Sequence, residues 1–264
     1  MFGEVIRTER LTPSMVRVVL GGSGLDGFEP TPFTDQYVNA SFVPAGAPLA
    51  VPFDNDLARS LPDEHRPRPR RFTVRRWDTE RRELTIDFAA HGDVGYAGAW
   101  AQRAVPGDRL QFRGPSGGYE PRPDADWHLL IGDESALPAI AASIEALPAD
   151  ARCTAVIVVD DATGEVSIDS ACDAEIIWCH RATSSEPEHA LLDAISSLEW
   201  PGGDVDVFLH GEAGEVREVR KFLVAERGLD PKAASISAYW RRDHTDEAWR
   251  AIKREWNAAQ AQDA

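Results

Sequence analysis

Short apolar runs separated by turn residues dominate the first half of the chain. Residues 2–8 and 15–20 are Val-rich and are divided by the turn at Thr12-Pro13; Gly21-Gly22 closes the second run. Residues 37–43 read as a further strand. Residues 71–77 and 83–88 alternate apolar and polar positions about residues 78–81, which predicts a hairpin. Residues 95–104 read as one short helix, and residues 109–112 as a strand after the turn Pro106-Gly107-Asp108. Six or so short strands with so little helix predict a closed or nearly closed barrel.

The pattern changes after residues 119–126 (YEPRPDAD), a Pro- and Asp-rich stretch that reads as a linker. Beyond it, near-continuous apolar runs at 127–131, 153–159, 175–179, 205–209 and 236–240 alternate with helical periodicity at 137–147, 187–198, 214–227 and 246–259. Apolar strands alternating with helices predict a parallel sheet covered on both faces. The expected organisation is an antiparallel β-barrel over residues 1–122, followed by a parallel α/β domain over residues 123–264.

Charge narrows the function classes. A net charge of −16 argues against nucleic acid, whose phosphates such a surface repels. Against that background Arg66, Arg68, Arg70, Arg71, Arg75 and Arg76 form one basic run, a candidate site for a phosphate or another anion. Charged residues at Glu4, Arg7, Glu9 and Arg10 occupy the place of a signal peptide's apolar core, and no run is long enough for a membrane helix. A soluble, cytoplasmic protein is expected, without integral membrane association and as a monomer. The three cysteines, Cys153, Cys172 and Cys179, form no C-x-x-C pair, and the seven histidines show no ligand spacing, so no protein-bound metal is expected.

Five stretches carry more specific information: TDQYV at 34–38, RRFTVR at 70–75, Gly114-Pro115, GDESALPAI at 132–140, and YWRR at 239–242. The second resembles the R-x-Y-[ST]-x-R flavin signature. Together, and in this order, the five resemble the siderophore-interacting proteins, FAD-dependent ferric-siderophore reductases of the ferredoxin-reductase-like superfamily. That resemblance implies an N-terminal FAD-binding barrel and a C-terminal nucleotide-binding-type α/β sheet. It also implies that electrons pass from NADPH or NADH, or from a reduced ferredoxin, through FAD to a ferric siderophore.

The resemblance assigns Arg70 to the phosphate or ribityl side of the flavin, Phe72 to packing on the isoalloxazine, and Thr73 to its N5, with Val74 and Arg75 completing the signature. Strand alternation places Arg70, Phe72 and Val74 on one face and Arg71, Thr73 and Arg75 on the other. Phe72 stands where the family usually has Tyr, which removes a hydroxyl and is expected to loosen the flavin. Asp87, His91, Gly95, Ala97, Gly98 and Trp100 are expected to bind FAD, His91 near its diphosphate or adenine. Gly132, Asp133, Glu134 and Ser135 lie beyond the first strand of the second domain, where open α/β sheets bind ligands. Asp133 and Glu134 repel a pyrophosphate placed against them, Asp160 and Asp161 suit a ribose diol, and Arg181 offsets that charge. The choice between NADH and NADPH stays open.

Arg241 and Arg242 are expected to hold the iron chelate. Two positions usually basic in the family are Asn39 and Ser116 here, which favours a neutral or weakly anionic chelate, such as a hydroxamate, over a catecholate. Two rival readings remain open at this point: a general flavin or diaphorase-type reductase, and a binding protein whose chemistry has been lost.

Overall fold

The structure is a computed structural model that describes residues 1–90 and 95–260. The chain divides into two compact units, Met1–Glu120 and Pro121–Ala264, with the division inside the Pro- and Asp-rich stretch.

The first unit contains seven strands: β1 (Phe2–Thr12), β2 (Met15–Gly21), β3 (Tyr37–Phe42), β4 (Arg68–Thr73), β5 (Arg76–Asp78), β6 (Glu83–Ala89) and β7 (Arg109–Ser116). They form one antiparallel sheet in the order β4-β3-β7-β1-β2-β6-β5. Its two edge strands, β4 and β5, are consecutive in the chain and joined by Val74 and Arg75 alone. Three residue steps span only about 10 Å, so the two edges must meet and the sheet curls into a barrel. Val18, Leu20, Leu84, Ile86, Phe88 and Phe112 fill its interior. The short helices α1 (Asn55–Ser60) and α2 (Ala97–Arg103) complete the unit.

The predicted strand over 71–77 is two strands. β4 pairs with β3, and only β5 forms the hairpin with β6. The break falls where the backbone changes partners: the Val74 amide donates to Gln36 O, and the Arg75 amide donates to Thr85 O. The alternation read across the signature therefore ends at Thr73, and Thr73 and Val74 are both buried. Period-two patterning shows that a segment is extended but not which neighbour it pairs with.

The second unit is a five-stranded parallel sheet in the order β10-β9-β8-β11-β12. Its strands are β8 (Trp127–Asp133), β9 (Cys153–Val159), β10 (Ala174–His180), β11 (Val205–Glu212) and β12 (Ser235–Trp240). Its helices are α3 (Leu137–Ala146), α4 (Ala190–Ser197), α5 (Ala213–Arg227) and α6 (Asp246–Gln260). Every residue of β8 and β9 is buried, which explains their largely apolar sequences. The strand order reverses beside β8, so the carboxyl ends of β8 and β11 flank the sheet's switch point.

Candidate functional site

In the first unit, β4 carries the basic run. Arg70 and Phe72 lie on its same face. Phe72 is half-buried, with its ring 4.5 Å from Phe88 and 6.0 Å from Phe42 between centroids. Trp100, on α2, joins them at 5.8 Å from Phe42 and 5.7 Å from Phe88. Phe72 and Trp100 thus complete the rim of the barrel core while keeping part of their surface outside it. Gly98 packs against Ala89 and Ala90, seating α2 on β6, and Ala97 is buried beneath it. His91 lies outside the described residues.

Arg75 and Asp87 have internal partners. Asp87 is buried opposite Arg17 in the β2–β6 register, and the two form a bidentate pair at 2.7 and 2.8 Å. Arg75 adds a second cation at 3.9 Å. A buried carboxylate between two guanidiniums pins β2, β6 and the β4–β5 junction together. Arg17 was missed from sequence; the signal was one cation inside the apolar run MVRVVL.

TDQYV and Gly114-Pro115 also have structural work. Asp35 Oδ1 accepts from the backbone amides of Gly118 and Tyr119. Asn39 stands opposite Arg71 on β4 and Arg113 on β7, and Tyr37 opposite Ser116. Arg71 and Arg113 are both exposed, so Asn39 sits between two cations. Arg71 also lies 5.4 Å from the Tyr37 ring centre.

In the second unit, the predicted nucleotide turn is a tightly wired junction. Gly132 is the penultimate residue of β8, where an added Cβ would come within 2.5 Å of His210 O and 2.6 Å of Ala136 Cβ, so only glycine fits. Asp133 is 1% exposed. Its Oδ1 accepts from Ser135 N and Oγ at 2.8 and 2.5 Å, and its Oδ2 from Glu212 N and Trp240 Nε1 at 2.9 and 2.7 Å. One carboxylate thus ties together the ends of β8, β11 and β12, and Ser135 is part of the same junction.

Around it lies a cluster of charges. Arg181 reaches Glu134 at 3.3 Å and Glu215 at 3.0 Å. Arg242 also binds Glu215 at 3.0 Å, while its amide donates to Glu212 Oε1. Glu212 caps α5 by accepting from Gly214 N and Glu215 N. Burial pushes the Glu215 carboxyl up to about 7, with Arg181 opposing that rise. Burial also raises Glu134, helped by the neighbouring Asp133. Two carboxyls, Glu134 and Glu215, therefore pair with two guanidiniums at the carboxyl edge of the sheet. Glu212 and Glu215 were missed from sequence; the signal was E-x-x-E at a strand-to-helix junction.

Asp161 Oδ1 accepts from Thr163 N and Oγ1, capping a turn after β9. Arg241 is half-buried and Arg242 exposed at the end of β12. Among the described residues, no group of three or more His, Cys, Asp and Glu side chains is arranged to hold a metal ion. No described helix is long and apolar enough to cross a membrane. Burial raises the Cys153 thiol to about 12 and that of Cys179 to about 11, leaving both protonated near neutrality.

Two family models match this architecture, the siderophore-interacting FAD-binding domain over residues 4–119 and the siderophore-interacting protein over residues 125–243. An uncharacterized protein of Mycobacterium tuberculosis is 44% identical, with 98% of this chain and 96% of that one covered. A ferric vibriobactin reductase of Vibrio cholerae is 31% identical over 93% of this chain and 91% of its own. An NADPH-dependent ferric-chelate reductase of Escherichia coli is also 31% identical, over 89% and 91%. The crystal structure of a siderophore utilization protein from T. fusca superposes with a TM-score of 0.79 at 37% identity, covering 93% of this chain and 94% of that one.

Proposed function

From the premise that this chain belongs to the siderophore-interacting protein family, we propose that it is an FAD-dependent reductase that releases iron from ferric siderophores. The observation that carries the reading is the arginine signature on β4, which sets Arg70 on one face with the partly exposed ring of Phe72, at the barrel rim that Trp100 shares. That donor set fits a flavin dinucleotide: guanidiniums meet phosphate oxygens, and rings with one open side pack a fused aromatic system. Bound FAD would supply the chemistry, uptake of a hydride and release of single electrons.

The chain's own residues bind and orient. Arg70 holds the anionic part of the cofactor, Phe72 and Trp100 pack it, and Thr73 stands by its reactive nitrogen. Gly95, Ala97 and Gly98 bring α2 alongside, while Val74 and the Arg17–Asp87–Arg75 group keep β4 and β5 in place. In the second unit, Gly132, Asp133, Glu134 and Ser135 shape the edge where a reduced nicotinamide dinucleotide docks. With Arg181 shared between Glu134 and Glu215, that edge has little spare positive charge, and a reduced ferredoxin remains an alternative donor. NADPH is the donor in the printed name of the Escherichia coli relative. Arg241 and Arg242 hold the chelate. Hard oxygen ligands hold Fe(III) more tightly than Fe(II), so one electron loosens the metal. We place the reaction in the cytoplasm, where reduced donors are maintained, and in a monomer.

Asn39 and Ser116 favour a hydroxamate chelate over a catecholate, and Arg71 and Arg113 leave the flanks of Asn39 cationic. The test is an anaerobic visible spectrum of the purified protein, first with NADPH, NADH or reduced ferredoxin, then with a ferric hydroxamate. Flavin bands that bleach with donor and recover with chelate are expected. Recovery with dyes alone overturns the chelate assignment, and equal turnover of hydroxamate and catecholate overturns the preference.

A further inference from the structure

Glu215 stands in the first turn of α5 with its side chain only 3% exposed, so it meets no ligand itself. It nevertheless joins two guanidiniums. Its Oε1 accepts from Arg181 Nη2 and from Arg242 Nη2, each at 3.0 Å, and Arg181 reaches Oε2 at the same distance. The two arginines differ in exposure, 14% for the Arg181 side chain and 42% for that of Arg242. Arg181 is therefore compensated inside, between Glu134 and Glu215. Arg242 reaches the surface with its guanidinium tied to Glu215 and its amide donating to Glu212 Oε1.

A cation beside a carboxylate presents little net charge to a ligand further out, because the two fields oppose each other there. The charged groups around Glu215 are Asp133 and Glu134 at the end of β8, Arg181 after β10, Glu212 at the head of α5, and Arg242 after β12. Asp133 is committed to the strand ends, Glu212 to the α5 cap, and Glu134 to Arg181. Glu215 is the carboxylate that pairs with the exposed guanidinium. We propose that Glu215 is a specificity-determining residue acting through Arg242: by pairing with that guanidinium beneath the surface, it withholds positive charge from the chelate and disfavours polyanionic ligands. The inference rests on the reading of Arg242 as a residue that holds the chelate. It differs from the argument at Asn39 and Ser116, where a cation is missing; here a cation is present and its charge is opposed. Burial holds the Glu215 carboxyl up at about 7, with Arg181 opposing the rise and Asp133 and Glu212 adding to it. Below that value the carboxyl is neutral and Arg242 regains its net charge, so discrimination against anions weakens in mild acid.

The experiment measures, by isothermal calorimetry on the full flavin-loaded chain, the binding of two gallium(III) chelates, a neutral trihydroxamate and a trianionic tricatecholate. Gallium(III) has the charge of ferric iron and is not reduced, so affinity is read without turnover. In wild type, the ratio of the two affinities is expected to move about fivefold toward the tricatecholate as pH falls from about 8 to about 6. Glu215→Gln keeps the shape and an accepting oxygen without the charge. It is expected to shift the ratio about tenfold toward the tricatecholate at the higher pH and to flatten the pH dependence. Titration of the chelates themselves is common to wild type and variant and drops out of the difference. Arg242→Gln, at the surface, is expected to lose the pH dependence as well, and it decides the matter if circular dichroism shows Glu215→Gln unfolded. Equal losses for both chelates in Glu215→Gln, or a pH dependence that survives in Arg242→Gln, overturn the proposal while leaving the reductase reading intact. A wild-type chain that binds neither chelate overturns the chelate reading, and the proposal with it.

Discussion

The two units present arginines in opposite ways. On β4 of the barrel, Arg70 and Arg71 lie along a half-exposed strand, beside aromatic rings. At the carboxyl edge of the parallel sheet, Arg181 and Arg242 are drawn onto Glu134 and Glu215. On β4 the guanidiniums lie beside aromatic rings, whereas at the sheet edge they pair with buried acids, as Arg17 and Arg75 do with Asp87 inside the barrel. On the proposed reading, the barrel strand holds the flavin and the sheet edge receives the electron donor.

The comparison is tested most severely at Asp133. Asp133→Ala strands the donors of Ser135, Glu212 and Trp240 inside the protein, at a cost of about 3 kcal/mol or more. Urea denaturation is expected to show that loss, while FAD affinity, measured on the folded variant, stays near wild type. A fall in FAD affinity matching the stability loss would erase the distinction between the units.

Arg70→Ala is expected to do the reverse. Losing a charge-assisted contact to phosphate costs about 2 kcal/mol, roughly thirtyfold in FAD affinity. The melting temperature without flavin is expected to move by only a few degrees, since Arg70 is half-exposed. A large stability loss with unchanged affinity would make Arg70 a structural residue like Asp87.

A third test separates the units by pH. His210 is stacked 3.8 Å from Phe208 and bonded to Tyr239 and Ser235; burial lowers its pKa from 6.5 to about 3, with Lys253 adding to the shift. Between those values the unfolded chain binds a proton that the folded chain refuses. This contribution to stability is complete above about pH 6.5 and is lost as pH falls towards 3. Urea midpoints of the second unit are expected to drop across that range, with a shallower slope in His210→Gln. Identical slopes would place the acid sensitivity elsewhere.

The smallest expected change is at Phe72. Phe72→Tyr restores the hydroxyl of the R-x-Y-[ST]-x-R pattern, and one added neutral hydrogen bond corresponds to a gain of a few-fold in FAD affinity. Weaker binding would mean that packing against Phe42 and Phe88 leaves no room for the added oxygen.

Much of this was legible beforehand, for identifiable reasons. Continuous apolar runs such as VIVV in β9 announced strands buried on both faces, and the Pro- and Asp-rich stretch marked the passage between the two patterns. The candidate site was only partly legible. Arg70, Phe72 and Trp100 were nominated because they belong to local motifs. Arg17 and Glu215 escaped because their partners, Asp87 and Arg181, lie far away in the chain. Asp133 and Asp87 stand among motif residues, and a motif does not distinguish a carboxylate that meets a ligand from one that holds strands together.

The sequence by itself determined the element types, the order of an antiparallel and then a parallel half, and the basic strand in an acidic chain. These follow from periodicity and composition, which depend on near neighbours. Tertiary structure alone decided that the segment over 71–77 divides between two edges of a barrel, and that Arg242 faces Glu215. Those outcomes depend on sheet closure and on charges brought together across the fold, and no local window of sequence contains both partners.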